Sequence, residues 1–284
     1  ALMALGQNII TGYGGMLSLT QAGFFAIGSY ATAILTTRFG WSFWGTLPVA
    51  FLLSALFGLL IGLPTLRLKG DYLAIATLGF GEIVRNVLNN WDSLTNGPMG
   101  IQKIPMPILF GYTINPYKKY AFLIMIFIFV LIAYLLFQRL ARSRMGRALT
   151  AVREDEIAAQ AMGINITKYK VYAFILGASV AGIAGSLQAT FTLSVTPGTY
   201  TFMVSVMVLC MVVLGGMGNF KASILGAFII QLISYFPQLT GLSGSIPAQF
   251  QQILFGLILV VMMIWRPQGI LGRETRRYGG AAGN

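Results

Sequence analysis

Long apolar runs separated by short polar connections restrict the fold of this chain more than any other feature. One of them, Tyr120–Phe137, reads YAFLIMIFIFVLIAYLLF and contains no charged residue. A helix needs about 20 mostly apolar residues to cross a bilayer, and helices and closed barrels are the structures that satisfy their backbone hydrogen bonds there. Charged residues make up only 9% of the chain, whereas soluble proteins carry roughly 25%. The sequence therefore predicts an integral helical membrane protein.

The apolar runs predict an all-α, polytopic fold with about eight to nine membrane segments. The connections between them leave no room for a sizeable soluble domain, so residues 1–284 are expected to form a single membrane domain. The first run is short, and we interpret it as the tail of a helix that begins upstream. The predicted segments are Ala1–Thr11, Ala22–Thr37, Phe43–Leu63, Tyr72–Leu88, Tyr120–Phe137, Val171–Thr190, Tyr200–Leu214, Ala222–Phe236 and Phe250–Trp265.

The positive charges predict how these segments are oriented. The chain has 19 Lys and Arg against 7 Asp and Glu, and the bases lie in the gaps between apolar runs. This distribution follows the positive-inside bias and argues against a nucleic-acid partner. Arginines at the start of a central polar loop, about residues 139–170, place that loop in the cytoplasm. An even number of predicted membrane segments separates the loop from each of two other basic clusters, so these clusters lie on the same side. The clusters are Arg139, Arg142, Arg144, Arg147 and Arg153; Arg67 and Lys69; and Arg266, Arg273, Arg276 and Arg277 in a tail at about 266–284.

The segment 89–107 is expected to be an ordered loop on the opposite side of the membrane. It contains glycine and three prolines, and it is too polar to span. Proline and glycine fix turns rather than continue a helix. The loop should therefore have a defined conformation outside the bilayer.

The central polar loop predicts a short cytoplasmic helix over Glu154–Gly163. Acidic residues in the first turn complement the positive helix N-terminus, Gly163 suits a left-handed C-terminal cap, and Thr167 is expected to cap the next helix. A helix this short is marginal alone, so something should pack on its apolar face. Two interpretations stay open, a solvated loop helix or a docking element for a soluble partner. The apolar face consists of Ile157, Ala158, Ala161 and Met162.

The residues of this loop resemble the EAA-type loop of ABC importer permeases, whose helix inserts into a cleft of an ATPase subunit. Two departures are visible, because Ile157 separates Glu156 from the alanines and the later Leu-Pro of that signature is absent. The resemblance implies that the helix carries ATPase coupling. The residues it assigns to this role are Glu154, Asp155, Glu156, Ile157, Ala158, Ala159, Ala161, Met162 and Gly163.

Longer segments, in the same order along nearly the whole chain, resemble the M-type permease of branched-chain amino acid ABC importers. That resemblance implies a heteromeric importer in the bacterial inner membrane, surrounded by lipid. Its other parts are an H-type permease, two cytoplasmic ATPase subunits and a periplasmic substrate-binding protein. The segments are Thr11–Ala33, Leu66–Ile101, Arg142–Phe174, Gly215–Ala227 and Arg266–Gly272.

The sequence itself offers no catalytic motif. It contains no GxxxxGK[ST] phosphate loop, and the glycine-rich GGMGNFKAS is expected to be a tight turn. The chain has no histidine and a single cysteine, Cys210, which excludes an internal disulfide and the usual metal motifs. We therefore expect a transport subunit rather than an enzyme, with no cofactor or metal in this chain and with ATP and Mg bound by partner subunits.

Two kinds of feature are candidates for the translocation pathway. Two segments begin Gly-Gly-Met after an apolar run, and interrupted helices in corresponding halves often mark a transporter's pathway; alternatively, such glycines only let helices approach closely. Glu82 and Arg85 lie inside a spanning run at i, i+3 spacing, and either pair with each other or another helix, or line a polar route. The candidates are Glu82, Arg85, Gln21, Gly14, Gly15, Gly215 and Gly216.

Other functions remain open at this stage. Related permeases carry urea or short amides, and an ion- or proton-coupled carrier is a second class. Proton coupling generally uses intramembrane carboxylates or histidines, and this chain offers one such acid. A membrane-embedded hydrolase would need a Ser-His pair or a metal. The sequence favours an ATP-driven importer of branched-chain amino acids.

Overall fold

A computed structural model describes residues 1–65, 68, 70–109, 112–114, 119–239, 256–257 and 269–270 of the chain. The described part is mostly helical. Three sequence predictions lie wholly or mostly outside the described residues: most of the segment Phe250–Trp265, the basic pair Arg67 and Lys69, and most of the tail at 266–284. The helices are α1 Leu2–Gln7, continued by a π-helix Asn8–Tyr13, α2 Gln21–Arg38, α3 Phe43–Thr65, α4 Asp71–Asn90, α5 Asp92–Thr95, α6 Lys119–Arg142, α7 Arg144–Glu154, α8 Glu156–Ala161, α9 Ile166–Thr192, α10 Phe202–Gly215 and α11 Phe220–Leu239.

Four helices of the described ranges are long and apolar enough to cross a membrane, over Phe43–Pro64, Tyr120–Arg142, Ile166–Thr192 and Pro197–Gly215. A shorter apolar helix covers Phe220–Tyr235. α6 has 24 residues, which at 1.5 Å per residue is about 36 Å and exceeds the hydrocarbon thickness. Together these helices confirm a multi-segment helical membrane fold.

α9 is the central helix, and small residues bring its neighbours against its backbone. A Cβ on Gly6 of α1 would lie 2.7 Å from the carbonyl oxygen of Gly177. Gly28 of α2 faces Gly182, where a Cβ would overlap the Gly182 backbone, and Ser29 donates a hydrogen bond to the Gly185 carbonyl over 2.9 Å. Close approach through glycine is how membrane helices associate, because lipid supplies no hydrophobic driving force between them.

The first helix does not continue into α2. Its last six residues form the π-helix, and residues 14–20 then run without regular structure to the first turn of α2 at Gln21. A π-helical turn has hydrogen bonds between residues five apart instead of the four of an α-helix, and such turns are frequent at functional sites. The break places polar residues in the interior of the bundle.

The bundle has two distinct ends. α7, α8 and the turn between α10 and α11 lie at one end, which we call the Arg153 end. At the opposite end Arg38 donates to the Ser93 carbonyl over 2.7 Å, and β1 (Ile101–Gln102) pairs antiparallel with β4 (Ser194–Val195). The hairpin β2 (Ile108–Leu109) to β3 (Tyr112–Thr113) follows β1.

The loop predicted over residues 89–107 has a defined conformation and does not span, as expected, and its side of the membrane stays a prediction. After the end of α4 it forms α5, a 3-10 turn at Gly97–Met99 and strand β1. Asn96 and Gly97 both adopt positive φ, which asparagine and glycine tolerate best. The pairing of β1 with β4 then anchors the loop to the segment that follows α9.

Candidate functional site

The polar loop folds as two helices rather than one, which corrects the expected helix over Glu154–Gly163. Glu154 is the last residue of α7, and the chain turns at Asp155, which is extended with φ −153° and ψ 110°. The Asp155 carboxylate accepts hydrogen bonds from the backbone N–H groups of Ile157 and Ala158 over 2.8 and 3.0 Å. It thereby caps α8, because its side chain reaches two of the N–H groups that a helix start leaves unpaired.

The C-terminal end of α8 has the geometry predicted for Gly163, whose φ is +80°. The Gly163 N–H donates to the Gln160 carbonyl over 2.9 Å and the Ile164 N–H to the Ala159 carbonyl over 3.0 Å, which is the Schellman pattern. Thr167 does not cap α9. Asn165 does so instead, because its side chain accepts from the Lys168 N–H over 3.0 Å.

The apolar face of α8 is uncovered. Ile157 is 79% exposed and Met162 82% exposed, and Ala158 and Ala161 are exposed beside them. Ala159 alone among the helix residues is buried against the rest of the chain. An ion pair between Glu156 and the buried Lys170 attaches α8 to α9. The helix is therefore attached to α9 while its apolar side faces away from the rest of the described chain.

Arg153, near the end of α7, joins this loop to both Gly-Gly-Met segments. Its Nη1 donates to the Gly12 carbonyl in the π-helix over 2.5 Å. Gly15, with φ +66°, lies against the Arg153 side chain so closely that a Cβ there would be 2.9 Å from Cγ. A Cβ on Gly218 would be 3.0 Å from Nη1. One guanidinium thus contacts two segments that are far apart in sequence.

The two segments also contact each other directly. The Gly218 N–H donates to Oδ1 of Asn8 over 2.9 Å, and the rings of Tyr13 and Phe220 stack with centroids 4.9 Å apart. A Cβ on Gly12 would overlap the Asn8 side chain and the Gly218 backbone. The sequence predicted corresponding roles for these segments, and the structure places them in one cluster at the Arg153 end.

Close packing explains two of the four predicted pathway glycines. Gly215 is buried against the Ala222 carbonyl, which lets α10 and α11 form a tight hairpin. Gly216 has φ +133° and lies against Gly269. The other two belong to the Arg153 cluster, where Gly14 is buried beside the Ile10 carbonyl and Gly15 packs on Arg153.

Gln21 lies in a buried polar region beside the break between the first helix and α2. It is 0% exposed, and neither of its amide atoms has a hydrogen-bond partner among the described residues. Nearby, Gln7 donates to the Ser18 carbonyl over 2.7 Å and the Leu19 N–H donates to Thr77 over 3.0 Å. An unpaired buried amide costs about 1–3 kcal/mol. The Gln21 amide is therefore available for hydrogen bonds that the described residues do not supply.

Glu82 and Arg85 pair with each other on α4. Arg85 Nη2 lies 2.7 Å from Glu82 Oε2, and Nε donates to the same oxygen over 2.8 Å. Their side chains are 30% and 35% exposed, and the neighbouring Ile83 and Asn86 are also exposed. This face of α4 is therefore both polar and uncovered by the described part of the chain, away from the Arg153 cluster.

Arg153, Asn8 and Gln7 are the site residues that sequence reasoning missed. Arg153 counted only as one of five cytoplasmic bases, and the two amides lie in an apolar run that gave no sign of its π-helix. An Asn and a Gln in adjacent positions of a spanning run are the signal that could have indicated them, since such residues in membrane helices are conspicuous.

The four apolar helices, the interrupted first helix and the glycine-packed bundle define a multi-pass helical membrane protein. The family model for the permease component of branched-chain amino acid transport systems matches residues 1–263, and the chain belongs to this family. It is 40% identical over 295 aligned residues to the high-affinity branched-chain amino acid transport system permease protein LivM of Salmonella typhimurium, covering 95% of this chain and 67% of that protein.

LivM of Escherichia coli is similar to the same extent, at 40% identity with the same coverage. The permease protein LivH of Escherichia coli is 25% identical over 96% of this chain and 91% of its own length. No solved structure gives a significant match to the chain.

Proposed function

We propose that this chain is the M-type permease subunit of an ATP-driven importer that carries branched-chain amino acids into the cytoplasm. Family membership and the 40% identity to permeases named for high-affinity branched-chain amino acid transport support the substrate class. The similarity to both LivM and LivH supports a partner of the same fold, the H-type permease. Two cytoplasmic ATPase subunits and a periplasmic binding protein complete the proposed assembly in the bacterial inner membrane.

The proposed topology has eight to nine membrane segments within one domain of residues 1–284. Eight are the first helix with its π-turn, α2, α3, α4, α6, α9, α10 and α11, and the predicted Phe250–Trp265 would be the ninth. The Arg153 end is cytoplasmic, because the five arginines of the loop at about 139–170 lie there. The end that carries β1 and β4 then faces outward, toward the binding protein.

The uncovered face of α8 is the observation that carries the proposal. Two large apolar side chains are about 80% exposed on a helix whose other contacts fix it in place. A capped helix with an outward apolar face fits a groove in a partner, which is a recurring recognition mode. The partner we propose is an ATPase subunit whose cleft receives α8, and Asp155 and Gly163 set the two ends of this helix.

Arg153 is the proposed route by which movement of that helix reaches the membrane interior. It stands three residues before the start of α8 and bonds the π-helix. A displacement of α7 and α8 would pull on Gly12 and Gly15 and change their packing against Gly218. Because α2 begins a few residues later, the buried polar region around Gln21 would move with it.

The uncovered face of α4 is the proposed contact with the H-type subunit and the wall of the pathway. Either charge alone at the centre of a bilayer would cost about 2.5–3.5 kcal/mol on insertion scales. Glu82 and Arg85 are therefore expected to face protein or water in the assembled importer. Their position at an inter-subunit boundary would bring polar atoms to a passing ammonium or carboxylate group.

The test is a charge placed on the exposed face of α8. We expect Ile157→Glu to abolish co-purification of the ATPase subunits and ATP-dependent uptake, because a carboxylate would be buried in the apolar contact. Gln160→Glu is the matched control, since Gln160 is exposed on the same helix and is already polar. Normal uptake by the Ile157 variant, measured with the cognate binding protein in proteoliposomes, would rule the proposal out.

A further inference from the structure

A basic cleft lies at the Arg153 end between α6, α7 and the start of α11. Its volume is about 560 Å³. Arg142, Arg147 and Lys221 line it, and Glu154 is the one acid in its wall. The three bases form no ion pair with any described residue, since the ion pairs of the described ranges are Glu82–Arg85 and Glu156–Lys170. The cleft therefore carries an excess of positive charge that the described residues do not neutralise.

The helix ends that frame the cleft add to this potential and supply hydrogen-bonding groups. α11 begins at Phe220 and directs its positive N-terminal dipole toward the cleft. Tyr134 and Gln138, one turn apart on α6, stand on the opposite wall. The arrangement suits an anion that carries several oxygen acceptors, such as a phosphate ester.

Two exposed apolar stripes lead from the cleft toward the membrane interior. On α6, Leu131 and Leu135 precede Gln138 and Arg142 at helical spacing, and they are 43% and 50% exposed. On α11 the stripe begins at Lys221 and continues at the same spacing through side chains that are 48%, 68% and 53% exposed. Those side chains are Leu225, Phe228 and Leu232.

The two helices that carry these stripes are neighbours, because the rings of Phe137 and Phe220 lie 5.6 Å apart. α6 runs toward the Arg153 end and α11 runs away from it, so both stripes extend from the bases in the same direction. A ligand that fits this surface has a negatively charged head at the membrane boundary and apolar chains alongside the two helices. A soluble protein partner would meet the head region but not the stripes.

We propose that this cleft binds an anionic glycerophospholipid of the inner leaflet, with its phosphate on Arg142, Arg147 and Lys221 and its acyl chains along α6 and α11. Basic pockets between transmembrane helices on the cytoplasmic side are known to suit such headgroups. The site is next to α7, so a bound lipid would restrain the helix that carries Arg153. The inference uses only the membrane orientation and does not depend on which solute is carried.

The test measures lipid retention by the full chain purified with its co-purifying partners. Phosphatidylglycerol and phosphatidylcholine are supplied in mixed nanodiscs, and native mass spectrometry counts the lipid that stays bound. We expect the double variant Arg142→Gln/Lys221→Gln to retain less phosphatidylglycerol, by about fivefold for each base removed. Phosphatidylcholine retention should not change.

The control variant is Arg139→Gln/Arg144→Gln, which removes two exposed bases, one on α6 and one on α7, that do not line the cleft. Equal loss of phosphatidylglycerol in both variants would overturn the proposal, because it would reflect net charge alone. Displacement of the lipid by millimolar inorganic phosphate would overturn it in favour of a soluble anion. Loss of the ATPase subunits with unchanged lipid retention would assign the cleft to a protein contact instead.

A charge-conserving pair protects the test against misfolding. Arg142→Lys/Lys221→Arg keeps both positive charges and is expected to retain phosphatidylglycerol as the unmodified chain does. If this variant also loses the lipid while eluting as the same species in size exclusion, the site is not electrostatic and the proposal fails.

Discussion

Removing the guanidinium of Arg153 is expected to separate ATP hydrolysis from transport. Arg153→Met keeps an unbranched apolar stem against Gly15 but deletes the Nη1 hydrogen bond to the Gly12 carbonyl. A hydrogen bond from a charged group contributes about 1.5–3 kcal/mol. This contact joins α7 to the π-helix, so its loss weakens the link between the loop that would meet the ATPase and the membrane bundle.

The size of the effect follows from how the contact enters the transport cycle. If the bond exists in one of the two main conformations, its loss shifts their equilibrium by a factor of roughly 10 to 100. We expect the number of amino acids imported per ATP hydrolysed to fall at least about tenfold, while ATPase co-purification persists because the face of α8 is untouched.

The measurement is uptake and phosphate release in the same proteoliposomes. Arg144→Met serves as the control, because Arg144 is an exposed base in the first turn of the same helix. Arg153→Lys, which keeps the charge but changes the reach, should give an intermediate ratio. A transport-to-hydrolysis ratio that is unchanged in Arg153→Met would refute the assigned role, and a parallel loss of both activities would point to assembly rather than coupling.

Two further predictions concern the membrane helices. Glu82→Ala leaves the Arg85 charge unpaired and is expected to impair uptake while the ATPase subunits still co-purify; normal uptake would end the pathway interpretation of α4. Gly28→Ala places a methyl group against the Gly182 backbone and should destabilise the bundle by at least about 1–3 kcal/mol. The measurement is the unfolding temperature, which should fall. The control is Gly79→Ala, where the new methyl group meets nothing within 4 Å and should be neutral or slightly stabilising.

The membrane helices could be predicted well because their signal is local. α3 begins at Phe43 as the apolar run does, and α6, Lys119–Arg142, begins one residue before the predicted Tyr120–Phe137 and ends five residues after it. Burial in lipid demands a continuous apolar stretch whatever the helix packs against, so composition alone reveals it. The number of segments beyond the four that meet the length and hydropathy limits stays a prediction.

The details of the polar loop were harder to predict because neighbouring residues compete for one role. Glu154, Asp155 and Glu156 can each begin a helix, and the choice of Asp155 depends on an extended backbone that only the fold sets. Thr167 and Asn165 competed in the same way at the start of α9, and Asn165 took the position. Short-range preferences narrow a helix start to a few residues and tertiary geometry selects among them.

The contacts of Arg153 could not be predicted from a single sequence. Arg153 and Gly12 are 141 positions apart, and the residues around each of them do not indicate that the two are in contact. The similarity between the two Gly-Gly-Met segments indicated a shared role but not that they touch. Long-range pairing of this kind is decided by how α1, α7 and α10 are arranged around α9.

The short ladder between Ile101 and Val195 has a mechanical consequence. It ties the loop after α4 to the segment after α9, so the ends of those two helices that lie away from Arg153 are joined to each other. With the proposed orientation, an opening toward the outside that keeps this ladder intact forms along a different edge of the bundle.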